Sequence, residues 1–95
     1  MRTAARRDAN EGEIMDALRK VGASVWQISD EGIPDLLVCY FDKVTDRYET
    51  VLIEVKHGSN KLTEAQDKFF REFPGHNIHI AYTVDDALQA IGAIE

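Results

Sequence analysis

The spacing of two apolar segments brings two carboxylates and one ammonium group together. Residues 35–41 (DLLVCYF) and 48–56 (YETVLIEVK) are typical of strands, and the polar stretch between them is typical of a turn. If they pair as an antiparallel hairpin about position ~44.5, partner numbers sum to about 89, and Asp35 lies opposite Glu54. Glu54 and Lys56 are two positions apart on one strand and therefore share a face.

This arrangement is typical of a metal site that acts on phosphate. Directly opposed carboxylates repel each other unless a cation lies between them. Mg²⁺ in proteins is commonly bound by one or two carboxylates, together with water and substrate phosphate. A nearby lysine places positive charge where charge develops on a phosphoryl group. The alternative interpretation is a surface cluster of two acids and one base with a structural role only.

The apolar periodicity predicts seven elements in the order α-β-β-β-α-β-α. A helix from about Asp8 precedes a short strand at 24–29 and the hairpin, whose first strand is expected to be covered on both faces. A second helix opens at Thr63, a last strand spans 78–82, and Thr83 caps a final helix. The second helix is expected to bury one side, formed by Ala65, Phe69, Phe70 and Phe73. The order predicts a single small α/β domain over residues 1–95, with a mixed central sheet flanked by helices.

Composition and charge restrict the class of protein. The chain is 44% apolar and 29% charged, as in globular domains, and no apolar run reaches the ~18–20 residues of a membrane span. The single cysteine, Cys39, excludes an internal disulfide and a cysteine-based zinc site, and is typical of a reducing compartment. We therefore expect a cytoplasmic protein with no membrane partner. The net charge of −6 argues against nucleic-acid binding, although residues 1–7, expected to be a flexible basic arm, contain three arginines.

The motifs around these residues resemble those of the PD-(D/E)XK nuclease superfamily. The string GIPD ends at Asp35, EVK spans 54–56, LTEAQ ends at Gln66, and NEGEI in the first predicted helix contains Glu11. In this order the set is most similar to VRR-NUC domains, which are common in phages and related to archaeal Holliday-junction resolvases. The resemblance covers residues from about 8 to 82 and implies a restriction-endonuclease-like fold.

The resemblance implies a role for each matching residue of the hairpin. Asp35 and Glu54 would bind Mg²⁺ or Mn²⁺, joined by the main-chain carbonyl of Val55. Lys56 would orient and activate the attacking water and stabilise the charge that develops on the phosphate.

The resemblance also implies roles for two helical residues, and each has an alternative. Glu11 would reach the metal directly or through water, and Gln66 would position Lys56 or the scissile phosphate. Residues 8–11 and 63–66 both fit a capping box, in which the fourth residue only satisfies the start of a helix. Residues 10–13 fit one too, so Glu13 competes with Glu11 for the role at the metal.

The resemblance implies a metal-dependent DNA endonuclease, selective for branched DNA such as Holliday junctions or flaps, in replication, repair or recombination. Resolvase-like relatives work as pairs of subunits, which implies a homodimer, acting in the host cytoplasm if the protein is phage-encoded. Arg6, Arg7 and Ser29 are candidates for contacts with DNA. The alternative is a catalytically inert module that keeps the fold for nucleic-acid docking or assembly, which the charge of −6 favours.

Overall fold

The computed structural model describes residues 9–75 and 77–95. Its elements are α1 (Glu11–Lys20), β1 (Ser24–Gln27), β2 (Leu36–Asp42), β3 (Arg47–Val55), α2 (Glu64–Glu72), β4 (Ile78–Ala81) and α3 (Val84–Ala90). The strands form one mixed sheet in the order β1-β2-β3-β4, antiparallel except for the parallel pair β3–β4. The predicted fold class and element order are confirmed. In the part of the chain that is described, no helix has the length and apolarity to cross a membrane.

The hairpin register agrees with the prediction. Leu36 pairs with Ile53 at one end and Asp42 with Arg47 at the other, so partner numbers sum to 89 along the whole ladder. The tight loop between the strands begins where the Asp42 carboxylate accepts the N–H of Val44 at 2.8 Å. Extended by one residue, the same register sets Asp35 opposite Glu54.

The hydrophobic core lies on one face of the sheet. Val25, Val38 and Val51 form a row across three strands on this face, since each is paired with the next. α1 and α3 cover the row and contribute Ile14, Leu18 and other residues to the buried cluster. Apolar residues at helical spacing in α1 therefore meet apolar residues at strand spacing in the sheet, which drives the packing.

The opposite face of the sheet, which we call the open face, differs from the prediction. The expectation that β2 is covered on both faces is wrong, because Leu37 and Cys39 are only half-buried and Phe41 is 46% exposed. Antiparallel strands tolerate one face toward water, and β2 is antiparallel to both of its neighbours.

α2 lies on the side of the open face and contributes nothing to the core cluster. The predicted buried side is wrong, because α2 has no buried residue: Ala65 is exposed, and Phe69, Phe70 and Phe73 are half-buried. Phe69 and Phe73 stack on each other, with ring centroids 5.3 Å apart. The aromatic side chains of α2 thus bury part of their surface against each other instead of against the sheet.

The turn between β1 and β2 passes close to α2 at Gly32. Gly32 has φ +82°, a backbone conformation that residues with a side chain rarely adopt. A Cβ added to Gly32 would lie 3.3 Å from the Cβ of Ala65. A glycine at this position therefore lets the β1–β2 turn and the first turn of α2 approach each other, and this contact places α2 beside the start of β2.

We predict that Ile53→Ala lowers the free energy of unfolding by ~2–5 kcal/mol, because Ile53 is fully buried in the middle of the core. Val44→Ala is the control: Val44 is 94% exposed in the hairpin loop, and its truncation should stay within ~0.5 kcal/mol. Urea denaturation measures both. Equal effects of the two substitutions would contradict the position of the core.

Candidate active site

The candidate site begins at Pro34 and Asp35, directly before the first residue of β2. By the hairpin register Pro34 falls opposite Val55, and proline has no N–H to donate to the carbonyl of Val55. The N–H of Val55 turns instead to the Oδ2 of Asp35, at 2.8 Å. Pro34 therefore ends the ladder, and the bond from Val55 fixes the carboxylate of Asp35 at the strand end.

Glu54 is a buried carboxylate with one satisfied and one unsatisfied oxygen. The residue is 2% exposed. Its Oε2 accepts from the Nε2 of Gln66 at 3.1 Å and lies 3.4 Å from the Nζ of Lys56. Its Oε1 is buried and has no hydrogen-bond partner. When Glu54 is protonated it can donate to the carboxylate of Asp35, but when it is ionised the oxygen is costly to leave unpaired and needs a cation that the chain itself does not supply.

Gln66 caps α2 and contacts the site at the same time. Its Oε1 accepts from the N–H of Thr63 at 2.9 Å and from the Nζ of Lys56 at 2.7 Å. The hydroxyl of Thr63 accepts the N–H of Gln66 in return, which completes the predicted capping box. The two alternatives for Gln66 are therefore compatible, because the cap holds the amide in the orientation that reaches Lys56 and Glu54.

The pKa of Glu54 is raised to about 8 from its ordinary value of 4.5. Burial is the main cause, and the negative charge of Asp35 adds to it. Lys56 opposes the shift but does not cancel it. The predicted repulsion between the two opposed carboxylates is therefore present, and the single lysine does not offset it.

The donors at this point suit Mg²⁺ or Mn²⁺. The carboxylates of Asp35 and Glu54 and the carbonyl of Val55 are hard oxygen ligands. Within residues 9–75 and 77–95, no three histidine, cysteine or acidic side chains are grouped closely enough to hold a metal. The chain would thus supply two carboxylates and one carbonyl, and water and phosphate would complete the shell, as is common for Mg²⁺.

Glu11 approaches the end of the sheet from the start of α1. It is 2% exposed, and its Oε2 accepts from the Nε2 of Gln27 at 2.9 Å. Glu13, the competing acid, is exposed on the same helix, so burial favours Glu11 for a role at the site. Whether Glu11 serves the metal stays a prediction.

A cleft of about 510 Å³ opens beside Asp35, between the β1–β2 turn and the first turn of α2. Asp30, Glu31 and Glu64 line it together with Asp35, so its walls repel phosphate unless a cation is bound. Ser29 is exposed in the same turn, and its contact with DNA stays a prediction. Arg6 and Arg7 lie outside the described residues.

One residue at the site, Asn10, was not predicted as such. The box proposed for residues 10–13 is wrong, because Asn10 is the N-cap of α1 but makes no side-chain cap bond. Its Nδ2 donates instead to the carbonyls of Lys56 at 3.0 Å and Tyr82 at 2.9 Å. The sequence carries little signal for this role, because both acceptors are main-chain atoms far along the chain.

We predict that the metal-free protein loses stability as the pH rises from about 4.5 to about 8. In this range the unfolded chain releases the proton of Glu54 and the folded chain retains it, so the loss is at most ~1.4 kcal/mol per pH unit. Glu54→Gln should remove this slope, whereas Glu13→Gln, an exposed acid of α1, should leave it. Thermal unfolding in chelator across this range measures the difference, and parallel pH profiles for all three proteins would contradict it.

Comparison with known families assigns the chain. The sequence model of the VRR-NUC domain family matches residues 3–84, a stretch that holds all the residues of the site. No curated protein and no solved structure matches the chain. The chain therefore belongs to the VRR-NUC domain family, which makes it, at the level of the family, a DNA nuclease.

Proposed function

We propose that the protein is a Mg²⁺- or Mn²⁺-dependent endonuclease that hydrolyses phosphodiester bonds in branched DNA. The observation that carries the metal dependence is the unpartnered, buried Oε1 of Glu54 beside Asp35. A divalent cation would satisfy this oxygen, relieve the repulsion between the carboxylates and attract phosphate into an acidic cleft. The resemblance to resolvases supports the choice of branched DNA.

The chain's own residues would orient and stabilise the reacting groups. The bound cation would supply a Lewis acid that lowers the pKa of water and polarises the phosphoryl oxygen. Lys56 is 8% exposed, and Gln66 and Glu54 hold its ammonium from two sides, so its charge has a fixed position beside the carboxylate of Glu54. It would orient the attacking water and stabilise the developing charge. Gln66 would keep Lys56 in place through the cap of α2.

The direct test is incubation of the pure protein with labelled Holliday junctions, flaps, nicked duplex, plain duplex and RNA. Each substrate is assayed in Mg²⁺, in Mn²⁺ and in chelator. The proposal expects cleavage of branched DNA in either metal and none in chelator, leaving a 3′-hydroxyl and a 5′-phosphate. Equal cleavage of plain duplex would contradict the substrate class, and cleavage in chelator would contradict the metal dependence.

We predict that Asp35→Ala, Glu54→Ala and Lys56→Ala each lower the cleavage rate at least ~100-fold, because each removes an electrostatic group from the reacting centre. The fold should survive, since none of the three side chains belongs to the apolar core. Glu13→Ala and Lys20→Ala, exposed residues of α1 with the same charges, are the controls and should cleave at the wild-type rate. A single-turnover assay measures the cleavage rates. If Asp35→Ala, Glu54→Ala or Lys56→Ala cleaved at nearly the wild-type rate, that residue would have no role in the mechanism.

We predict that DNA binding is weak in chelator and tighter in Ca²⁺, because the acids of the cleft repel phosphate until a cation binds. In chelator, Glu54→Ala should bind no worse than wild type, because Glu54 is neutral below its raised pKa of about 8 and repels phosphate once it is ionised. Replacing Arg6 and Arg7 together should weaken binding uniformly and flatten the salt dependence by ~1–2 units of slope. Anisotropy titrations measure these affinities. Equal affinity in Ca²⁺ and chelator would mean that the acids do not face the phosphate.

We also propose that the protein is a homodimer, supported by the open face of the sheet. Trp26, Leu37, Leu52 and Ile78 form a continuous apolar row across all four strands, because each pairs with the next. Trp26 is 51% exposed, and the other three are half-buried. None of the four is charged, so two chains of net charge −6 could meet there without burying like charges.

We predict that Trp26→Glu converts a dimer to a monomer, because the new charge would lie in the apolar contact. Val44→Glu, which adds the same charge at a 94% exposed loop position, should leave the dimer intact. Light scattering after size exclusion measures the mass of both variants. A monomeric wild type, or a dimer that survives Trp26→Glu, would contradict this use of the open face.

A further inference from the structure

We propose that Asn10 is a positioning residue that holds the main chain of Lys56, and with it the first turn of α1, at the candidate active site. Its amide donates to the carbonyls of Lys56 and Tyr82, which are the residues next after β3 and β4. We call these two bonds the Asn10 clamp. The proposal rests on the nuclease function for its catalytic consequence, but the clamp itself can be measured without DNA or metal.

The clamp replaces a bond that the parallel ladder cannot make. The N–H of Lys56 donates to the carbonyl of Ala81 at 3.0 Å, so the regular pattern would bring the next donor for Lys56 from Thr83. The N–H of Thr83 is used elsewhere, because it donates to Oδ2 of Asp86 at 3.2 Å in the capping box of α3. The carbonyl of Lys56 thus loses its partner in β4, and the side chain of Asn10 supplies the donor.

The side chain of Asn10 does not cap α1, although Asn10 is at the N-cap position. Asn10 is the N-cap of α1, where asparagine usually accepts a backbone N–H through its side-chain oxygen. It makes no such bond, and its Oδ1 is buried without a hydrogen-bond partner. The side chain of Asn10 therefore forms its hydrogen bonds with the ends of β3 and β4 and not with α1.

The clamp needs an amide and excludes a carboxylate. Both partners of the side chain are carbonyl oxygens, so only a hydrogen-bond donor can face them. The amide offers two N–H groups, whereas a serine hydroxyl offers one proton on a shorter side chain. An aspartate would place negative charge against two acceptors. As a helix cap, however, aspartate is as good as asparagine, and its charge favours a helix N-terminus. The substitution Asn10→Asp thus separates the clamp from an ordinary cap.

The clamp has two consequences for the site. It fixes the backbone of Lys56 at the point where the chain leaves the sheet, while Gln66 and Glu54 hold the ammonium at the other end of the side chain. It also ties the residue before Glu11 to the end of β3, which sets how far the Glu11 carboxylate can move from the site. A small displacement of a reacting group can cost up to ~100-fold in rate.

The test compares Asn10→Asp and Asn10→Ser with Asn77→Asp, which adds the same charge at an exposed side chain before β4. Amide hydrogen exchange, measured in chelator, reports the N–H of Lys56. We expect this proton to exchange at least ~10-fold faster in both Asn10 variants and at the wild-type rate in Asn77→Asp. The N–H of Ile53, in the middle of β3, should be unchanged in all three, which shows that the fold is intact.

The second readout is single-turnover cleavage of the branched substrate in Mg²⁺. We expect a fall of ~10–100-fold in the Asn10 variants, with the DNA affinity in Ca²⁺ unchanged, and no change in Asn77→Asp. Unchanged exchange of the Lys56 proton in Asn10→Asp would overturn the clamp. Faster exchange with wild-type cleavage would overturn its catalytic consequence. A wild-type protein that cleaves nothing would refute the nuclease proposal, and the exchange rates would still decide the clamp.

Discussion

Two carboxylates that face each other across a pair of strands are the constraint on which the rest of this structure depends. The register of β2 and β3 sets Asp35 opposite Glu54, and burial makes the second charge hard to keep, as the raised pKa of Glu54 shows. The N–H of Val55 donates to the carboxylate of Asp35. The amide of Gln66 and the ammonium of Lys56 contact the carboxylate of Glu54. These contacts leave one oxygen of Glu54 without a partner, and a bound cation would complete the arrangement.

The site lies where the sheet stops, and two separate features of the sequence stop it there. Pro34 has no N–H for the carbonyl of Val55 on the side of β2. The capping box of α3 takes the N–H of Thr83 from the carbonyl of Lys56 on the side of β4. The adjacent carbonyls of Val55 and Lys56, at the end of β3, thus lose their ladder donors beside the candidate site, so the first could serve a cation and the second is held by Asn10. Backbone carbonyls that have no hydrogen-bond donor in the sheet are available to bind a cation or a side chain.

Much of this could be predicted from the sequence, because it depends on local rules. The element order follows from apolar periodicity, the facing of Asp35 and Glu54 from the length of the hairpin loop, and the cap at Thr63 from its spacing to Gln66. The open face could not be predicted, because the apolar run in β2 is the same whether a helix or water covers its second side. Asn10 was missed since its acceptors are backbone atoms, which leave no trace in side-chain patterns.

The net charge of −6 argues against DNA binding only if no cation binds to the acidic residues and neutralises them. A cation held by Asp35 and Glu54 would reverse the local sign of the charge where phosphate must enter, so the metal would have to bind before any chemistry. The most direct measurement is calorimetric titration of Mn²⁺ into metal-free wild type and into Asp35→Asn, which keeps the shape of the side chain and removes its charge. We expect the wild type to take up Mn²⁺ and Asp35→Asn to abolish this uptake. No uptake by the wild type, or uptake unchanged in Asp35→Asn, would contradict it and favour an inert module with this fold.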